Sequence, residues 1–427
     1  MKKGMNLLWA LLLMATSAHG QTDSTTIKQF IRREAAALTA DAMHGRGYVQ
    51  EGRMVASAYI QSRFKEMGLQ PAPGSHGYTQ SYYFPVNTFP GKMKLVVNGK
   101  EMKAGADYII DAGSPSITAK DLPVKTVELG GITDMQGLKA VLRSFNGSEA
   151  YMLTHIDSLC KTLGARVEEV AMALPQGCYI IAEPHKLTWT VAEQAIAATV
   201  FYVIDSALPA NINKVSTDVK AVLLHNARNE NIIAVAPGRV ADSFIAITGH
   251  YDHLGMMGLN AVFPGASDNA SGISMLLYLA SYFVAHPQHY SILFICFSGE
   301  EAGLLGSAYY VAHPTVPLNR IKFLTNIDIM GDATDGVTVV NATEFPKQFA
   351  LLQGINTAHK YIPVIKSRGK AHNSDHYHFT EAGVPSFFMY SNGGKGFYHD
   401  IFDTADEITL NHVDGVAELL MDFLEGM

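Results

Sequence analysis

The sequence predicts an α/β fold: a mixed central sheet sandwiched by helices, interrupted by an inserted β-rich domain. Three observations carry this. Residues 292–297 form an unbroken apolar run rich in β-branched and aromatic side chains, as in a strand buried on both faces. From Ala221 onward, short apolar runs bounded by Gly, Pro or Asn alternate with helical stretches. Between about Pro85 and Lys220 the texture changes to short strands and turn signals, with no convincing cluster of catalytic groups. The expected division is a leader at residues 1–20, one domain built from 21–85 and 221–427, and an insert at 86–220.

The leader has a basic start at Lys2 and Lys3, an apolar core over residues 7–14, and small residues Ala18 and Gly20 before Gln21. That is the pattern of a secretory signal peptide, with cleavage near Gly20/Gln21 and a secreted or periplasmic destination. A spanning anchor needs about 20 apolar residues, and the next longest run, 273–285, falls short, so no stable membrane insertion is expected. The 427 residues are 48% hydrophobic and 17% charged, enough to bury one large core or two smaller ones. The formal charge of −7 becomes −9 once the two leader lysines are gone, and a mildly acidic chain gives no encouragement to nucleic-acid binding. Cys160, Cys178 and Cys296 make no metal-knuckle spacing. Cys296 falls inside a buried run, while pairing of Cys160 with Cys178 is left open.

Along the chain, residues 26–38 and 53–67 have helical apolar spacing, the second closed by Gly68 and separated from the first by a loop carrying His44-Gly-Arg-Gly47. Residues 94–97 and 100–102 flank Asn98-Gly99, a two-residue hairpin. Further strands are expected at 108–110, 126–129, 179–182 and 199–204, with a helical pattern over 152–163. The large sheet then takes 222–224, 231–237, 243–248, 292–297, 337–340 and 386–389, and residues 271–285 form a buried helix.

Acids and imidazoles collect where these runs end. The run 244–248 leads into Gly249-His250-Tyr-Asp252-His253; Asp268 lies just before the helix at 271. Glu300 and Glu301 follow the run 292–297, Asp328 closes another apolar run, and His399 lies in a late loop. Read singly, Asp268 is a helix N-cap and the glutamate pair a favourable helix start. Together, two imidazoles and three carboxylates at separate strand ends suit a pair of divalent ions with nitrogen and oxygen ligands, zinc being usual for that mixture.

The motifs GHYDHLG, GASDNASG, FSGEEAGLLGS, NIDIMGD and YHDIFDT, in this order, resemble those of the M28 family of zinc metallopeptidases, which contains many aminopeptidases. The HGRG loop and the helix after it resemble the family's opening segment, and residues 177–208 look more loosely like a protease-associated domain. The resemblance implies a zinc-exopeptidase, phosphorylase-like sheet and two Zn2+ per chain. It places His250 and Asp328 on one ion, Glu301 and His399 on the other, and Asp268 between them. It makes Glu300 the general base, Asp252 the group that orients His250, and Tyr398 a hydrogen-bond donor to the developing oxyanion. The implied substrate is a peptide with a free N-terminus; oligomeric state is left open.

Alternatives on the same fold are a glutaminyl cyclase, a carboxypeptidase using Arg368 or Lys370 to hold a substrate carboxylate, and a binding protein on a decayed scaffold. Retention of every candidate ligand argues against the last. His372, His376 and His378 in HNSDHYHF are read as part of a loop that shapes the pocket rather than as a third metal site.

Overall fold

The computed structural model describes residues 24–145 and 147–427; the leader expected at 1–20 lies outside the described residues. Helices α1 (Ser24–Leu38) and α2 (Gly52–Met67) form as expected, and α2 stops at Gly68, whose φ of +83° lets its N–H turn back to the last helical carbonyls. Two strands follow, β1 (Gln70–Pro71) and β2 (Thr79–Thr88).

The chain then leaves for a second sheet. Its strands are β3 (Met93–Val97), β4 (Lys100–Glu101), β5 (Tyr108–Ile110), β6 (Ile117–Glu128), β7 (Ala150–Thr154), β8 (Cys178–Glu183), β9 (Thr199–Ile204) and β10 (Lys214–Val219), in the spatial order 4-3-10-6-7-8-9-5. The β3–β4 turn has Asn98 at φ +49° and Gly99 at +87°, the left-handed pair a two-residue hairpin requires. Strands β6 to β9 run parallel, and α3 (Met135–Leu142), α4 (Ile156–Leu163) and α5 (Val167–Ala173) cover one face, so this part is itself an α/β layer.

The helical pattern read over 152–163 splits here. Met152 and Leu153 belong to β7, and His155 at φ +58° starts the helix. Pairing with β6 and β8 on both flanks outweighs the helical spacing of those first residues. Cys160 on α4 and Cys178 on β8 remain free thiols in different apolar clusters.

The principal sheet resumes with β11 (Val222–Ala236) and β12 (Val240–His250), followed by a small hairpin, β13 (Gly255–Met257) and β14 (Ala261–Phe263). Helix α6 (Gly272–Ala285), β15 (Tyr290–Phe297), α7 (Leu305–Ala312), β16 (Ile321–Asp328), β17 (Val337–Val340), α8 (Pro346–His359), β18 (Ile365–Ser367), α9 (His376–Glu381), β19 (Ser386–Ser391) and α10 (Val413–Glu425) complete the chain. The strand order is 1-11-15-12-16-19-17-18, with β2 also on β11.

Residues 222–224 and 231–237, read as two runs, are largely one long strand. The polar stretch between them carries a bulge after Leu224 and keeps pairing with β2. Its buried groups find partners: Ser57 donates to Glu230, and the Arg228 carbonyl accepts from Arg53.

Side chains of β15 alternate between the two faces. Ile292, Phe294 and Cys296 join the core under α1, α2, α6 and α10, while Leu293, Ile295 and Phe297 pack with Tyr310 of α7 and Phe379 of α9. The mixed sheet between helices is therefore as expected. Strands β15, β12, β16 and β19 are mutually parallel, so their carboxyl ends open along one edge. Among the described residues no helix is long and apolar enough to cross a membrane.

Candidate metal centre

That edge is where the functional side chains gather. His250 is the last residue of β12 and Asp328 the last of β16. Glu300 and Glu301 occupy the turn after β15. Gly299 makes the turn at φ +69°, with the Phe84 ring 3.0 Å from where a Cβ would stand. Asp268 lies in a single π-type turn ahead of α6, and its side chain caps nothing. His399 comes from the irregular loop after β19.

The carboxylate of Asp268 spans the two imidazoles: Oδ1 is 3.2 Å from His250 Nε2, and Oδ2 is 3.0 Å from His399 Nε2. A second carboxylate faces each ring, Asp328 Oδ2 at 3.4 Å from His250 Nε2 and Glu301 Oε2 at 3.1 Å from His399 Nε2. All five sequence-nominated ligands thus converge, with Glu300 close to His250 and Glu301.

The opposite nitrogens fix the tautomers. His250 Nδ1 lies 3.2 Å from the Asp252 carbonyl oxygen and His399 Nδ1 2.9 Å from the Trp189 carbonyl oxygen. A carbonyl can only accept, so each Nδ1 carries a proton, which leaves Nε2 as the atom that would bind an ion. Asp252 had been expected to orient His250 through its carboxylate. That group is farther off, at 3.8 Å, and instead accepts the Glu300 N–H at 3.3 Å.

Burial alone would lower both imidazoles. Asp328 and Glu300 reverse this for His250, which rises well above its ordinary value, and Glu301 with Asp268 lift His399 to about 11. Burial pushes Glu300 well up and Asp252 up to about 7. Burial works the same way on Asp268 and Glu301, but the histidines win: Asp268 falls well below the usual carboxylate range and Glu301 to about 2. The centre is built to hold positive charge.

Divalent ions fit this donor set. Asp328 Oδ1 is buried without a hydrogen-bond partner, as expected of a ligand atom directed at a cation. Three overlapping groups of ligand atoms lie within metal-chelating reach, sharing His250, Asp268 and Glu301 among them, and the mixture of imidazole and carboxylate with no thiolate matches a binuclear zinc site.

Several supporting residues carry no signal strong enough to find from sequence. His253, fully buried, places Nδ1 2.7 Å from Glu301 Oε1; its place in the same motif as His250 is the one hint. Asp403 accepts the backbone N–H groups of Ser267 and Asp268, holding the turn that presents Asp268. Arg46, in the HGRG loop, is buried and donates to the carbonyls of Leu38, Tyr251, Pro264, Gly265 and Asp268. Gly47 beside it is required by contact, since a Cβ there would lie 2.4 Å from Gly255 Cα.

Tyr398 stacks on His399 with ring centroids 3.9 Å apart and stays 43% exposed. It lines a cavity of about 250 Å3 whose walls include Ile329, Phe397 and Ile408. His376 is buried against Phe388 and His372 stacks on Tyr377; the metal-capable groups among the described residues do not include them. Asp375, between them, is buried with both carboxylate oxygens unpartnered, and burial raises it to about 6. Lys370 is committed to Glu381 on the surface, and Arg368 is exposed.

Comparison with known proteins gives a consistent picture. Residues 231–424 match the model of Peptidase family M28. An aminopeptidase of Bacillus subtilis (strain 168) is 28% identical over 205 residues, which are 46% of this chain and 44% of that protein. Leucine aminopeptidase 1 of Arthroderma gypseum is 30% identical over 226 residues, 47% of this chain and 58% of that protein. The match thus spans about half the length of these curated relatives. Among solved structures, a zinc aminopeptidase from Bacillus subtilis superposes with a TM-score of 0.67 at 19% identity, covering 93% of this chain and 94% of that one. An aminopeptidase from Aneurinibacillus sp. strain AM-1 gives 0.60 at 19% identity, covering 94% and 93%. At such identity these two speak for the fold.

Proposed function

We propose, from the match of residues 231–424 to the model of Peptidase family M28 and from the site's geometry, that the protein is a di-zinc aminopeptidase that removes N-terminal residues from peptides. The observation that carries this is the Asp268 carboxylate, shared between a His250–Asp328 set and a His399–Glu301 set with Glu300 alongside. His250 and Asp328 would hold one ion, His399 and Glu301 the other, and Asp268 both. Zinc held there supplies Lewis acidity toward the scissile carbonyl and toward the attacking water.

Glu300, close to His250 and Glu301 but outside both ligand sets, would take the proton of that water and deliver it to the leaving amine. Tyr398, which lines the cavity with its ring stacked on His399, would donate its hydroxyl to the carbonyl oxygen as negative charge develops on it. Carboxylates crowded around the centre attract a free α-ammonium group, which favours exopeptidase action from the N-terminus. The adjoining cavity would take the side chain of the residue removed.

The test is mass spectrometry of a peptide mixture, half with free and half with acetylated N-termini, after incubation with the zinc-loaded protein. Stepwise shortening of the free peptides alone is the expected result. Loss of ammonia from Gln-initiated peptides, or trimming from the carboxyl end, would replace this reading with the cyclase or the carboxypeptidase. The pattern of residues 1–20 supports export, and N-terminal sequencing of protein recovered from the periplasm or medium of an expressing bacterium should begin at Gln21.

A further inference from the structure

His399 is oriented from outside the principal sheet. The carbonyl that accepts its Nδ1–H belongs to Trp189, in the segment between β8 and β9 of the second sheet, and the bond is returned by the Trp189 N–H donating to the His399 carbonyl at 3.0 Å. Three residues earlier, Lys186 reaches the same loop. Its ammonium lies 2.8 Å from Asp400 Oδ2 and donates to the Gly396 carbonyl at 3.1 Å. Asp400 in turn accepts the Phe402 N–H at 2.9 Å, so the lysine grips the carboxylate that folds the loop around His399.

The segment is itself anchored. Trp189 Nε1 donates to the Ile110 carbonyl at 2.8 Å, and its indole packs on Phe263 of the β13–β14 hairpin with centroids 4.7 Å apart. The loop it holds needs holding. Gly393, Gly394 and Gly396 all have positive φ, and His399 sits at φ +55°, a conformation an imidazole-bearing residue keeps only where its surroundings impose it.

Resting on the di-zinc reading above, we infer that Lys186 and Trp189 of the second sheet are positioning residues for the metal ligand His399. The second sheet is then a working part of the centre, and the ion held by His399 and Glu301 depends on it. An outer partner of a metal-bound imidazole typically changes metal affinity by about 10–100-fold when lost.

The experiment uses the full chain with zinc alone. Zinc per chain is measured across a series of chelator-buffered free zinc concentrations for the wild type, Lys186→Met, Lys186→Arg and the surface control Lys92→Met, whose lysine pairs with Asp218 far along the chain from this segment. Lys186→Met should weaken one of two sites by about 10–100-fold and leave the other and the metal-free Tm unchanged. Lys186→Arg should restore binding to near the wild-type level, and Lys92→Met should match the wild type. Two sites of wild-type affinity in Lys186→Met, or an equal weakening of both with a lowered metal-free Tm, would overturn the proposal. A wild type that binds fewer than two ions would remove the di-zinc reading itself, and this inference with it.

Discussion

His250 ends a strand flanked on both sides by parallel neighbours, whereas His399 lies in a glycine-rich loop with its backbone at φ +55°. The first imidazole takes its orientation from a carbonyl two residues away; the second takes it from a carbonyl 210 residues upstream. A left-handed non-glycine residue costs about 1–3 kcal/mol. The sheet avoids that cost at His250, and the clamp from the second sheet offsets it at His399. What the comparison teaches is that a sheet edge can supply half of a rigid centre, and the other half can come from a loop provided another part of the molecule locks it.

The most severe way to break the comparison is to remove what joins its two halves. Asp268→Ala should lose at least one zinc per chain, with a greater loss of activity than any variant below; two ions still present by elemental analysis would show that Asp268 bridges nothing. Next comes Glu300→Gln, expected to keep both ions while kcat falls by roughly 10²–10⁴-fold. Full activity in that variant would remove Glu300 as the base.

Smaller effects sharpen the contrast. His253→Ala strips Glu301 of its 2.7 Å partner and should weaken zinc binding by about 10–100-fold. Asp252→Asn leaves in place the carbonyl that holds His250 and should cost less than His253→Ala; the reverse order would mean that the Asp252 carboxylate matters more to the ion than the backbone bond. Last, removing zinc should speed amide hydrogen exchange at Trp189 and in residues 396–403 while the amides of β12 keep their protection. Equal acceleration in both regions would erase the distinction drawn between them.

The half of the centre carried by strand ends was legible in the sequence. Buried runs that stop at a His, a Glu pair or an Asp announce themselves by composition, so His250, Glu300, Glu301 and Asp328 could be found from the runs they terminate. His399 and Asp268 were found through their motifs. The roles of Trp189 and Arg46 were not legible, because backbone carbonyls do the work at one and are the targets of the other, and every residue type has a carbonyl. Lys186 looks like any surface lysine until Asp400 is placed beside it. Continuity of β11 was hidden by Asn229 and Glu230, polar residues whose partners lie on other elements, and the 152–163 stretch misled because a short apolar run satisfies both periodicities.

Thr88 and Val222 face each other across β2 and β11, with the threonine hydroxyl bonded to the valine carbonyl. A tight turn joining them would close the principal sheet without the second one, so the excursion reads as cargo that descendants of this chain could discard. They could not discard it freely. Such a shortened heir would keep every ligand and the base in its sequence and still lack the acceptor for His399, and a tally of its motifs would overstate what it had inherited.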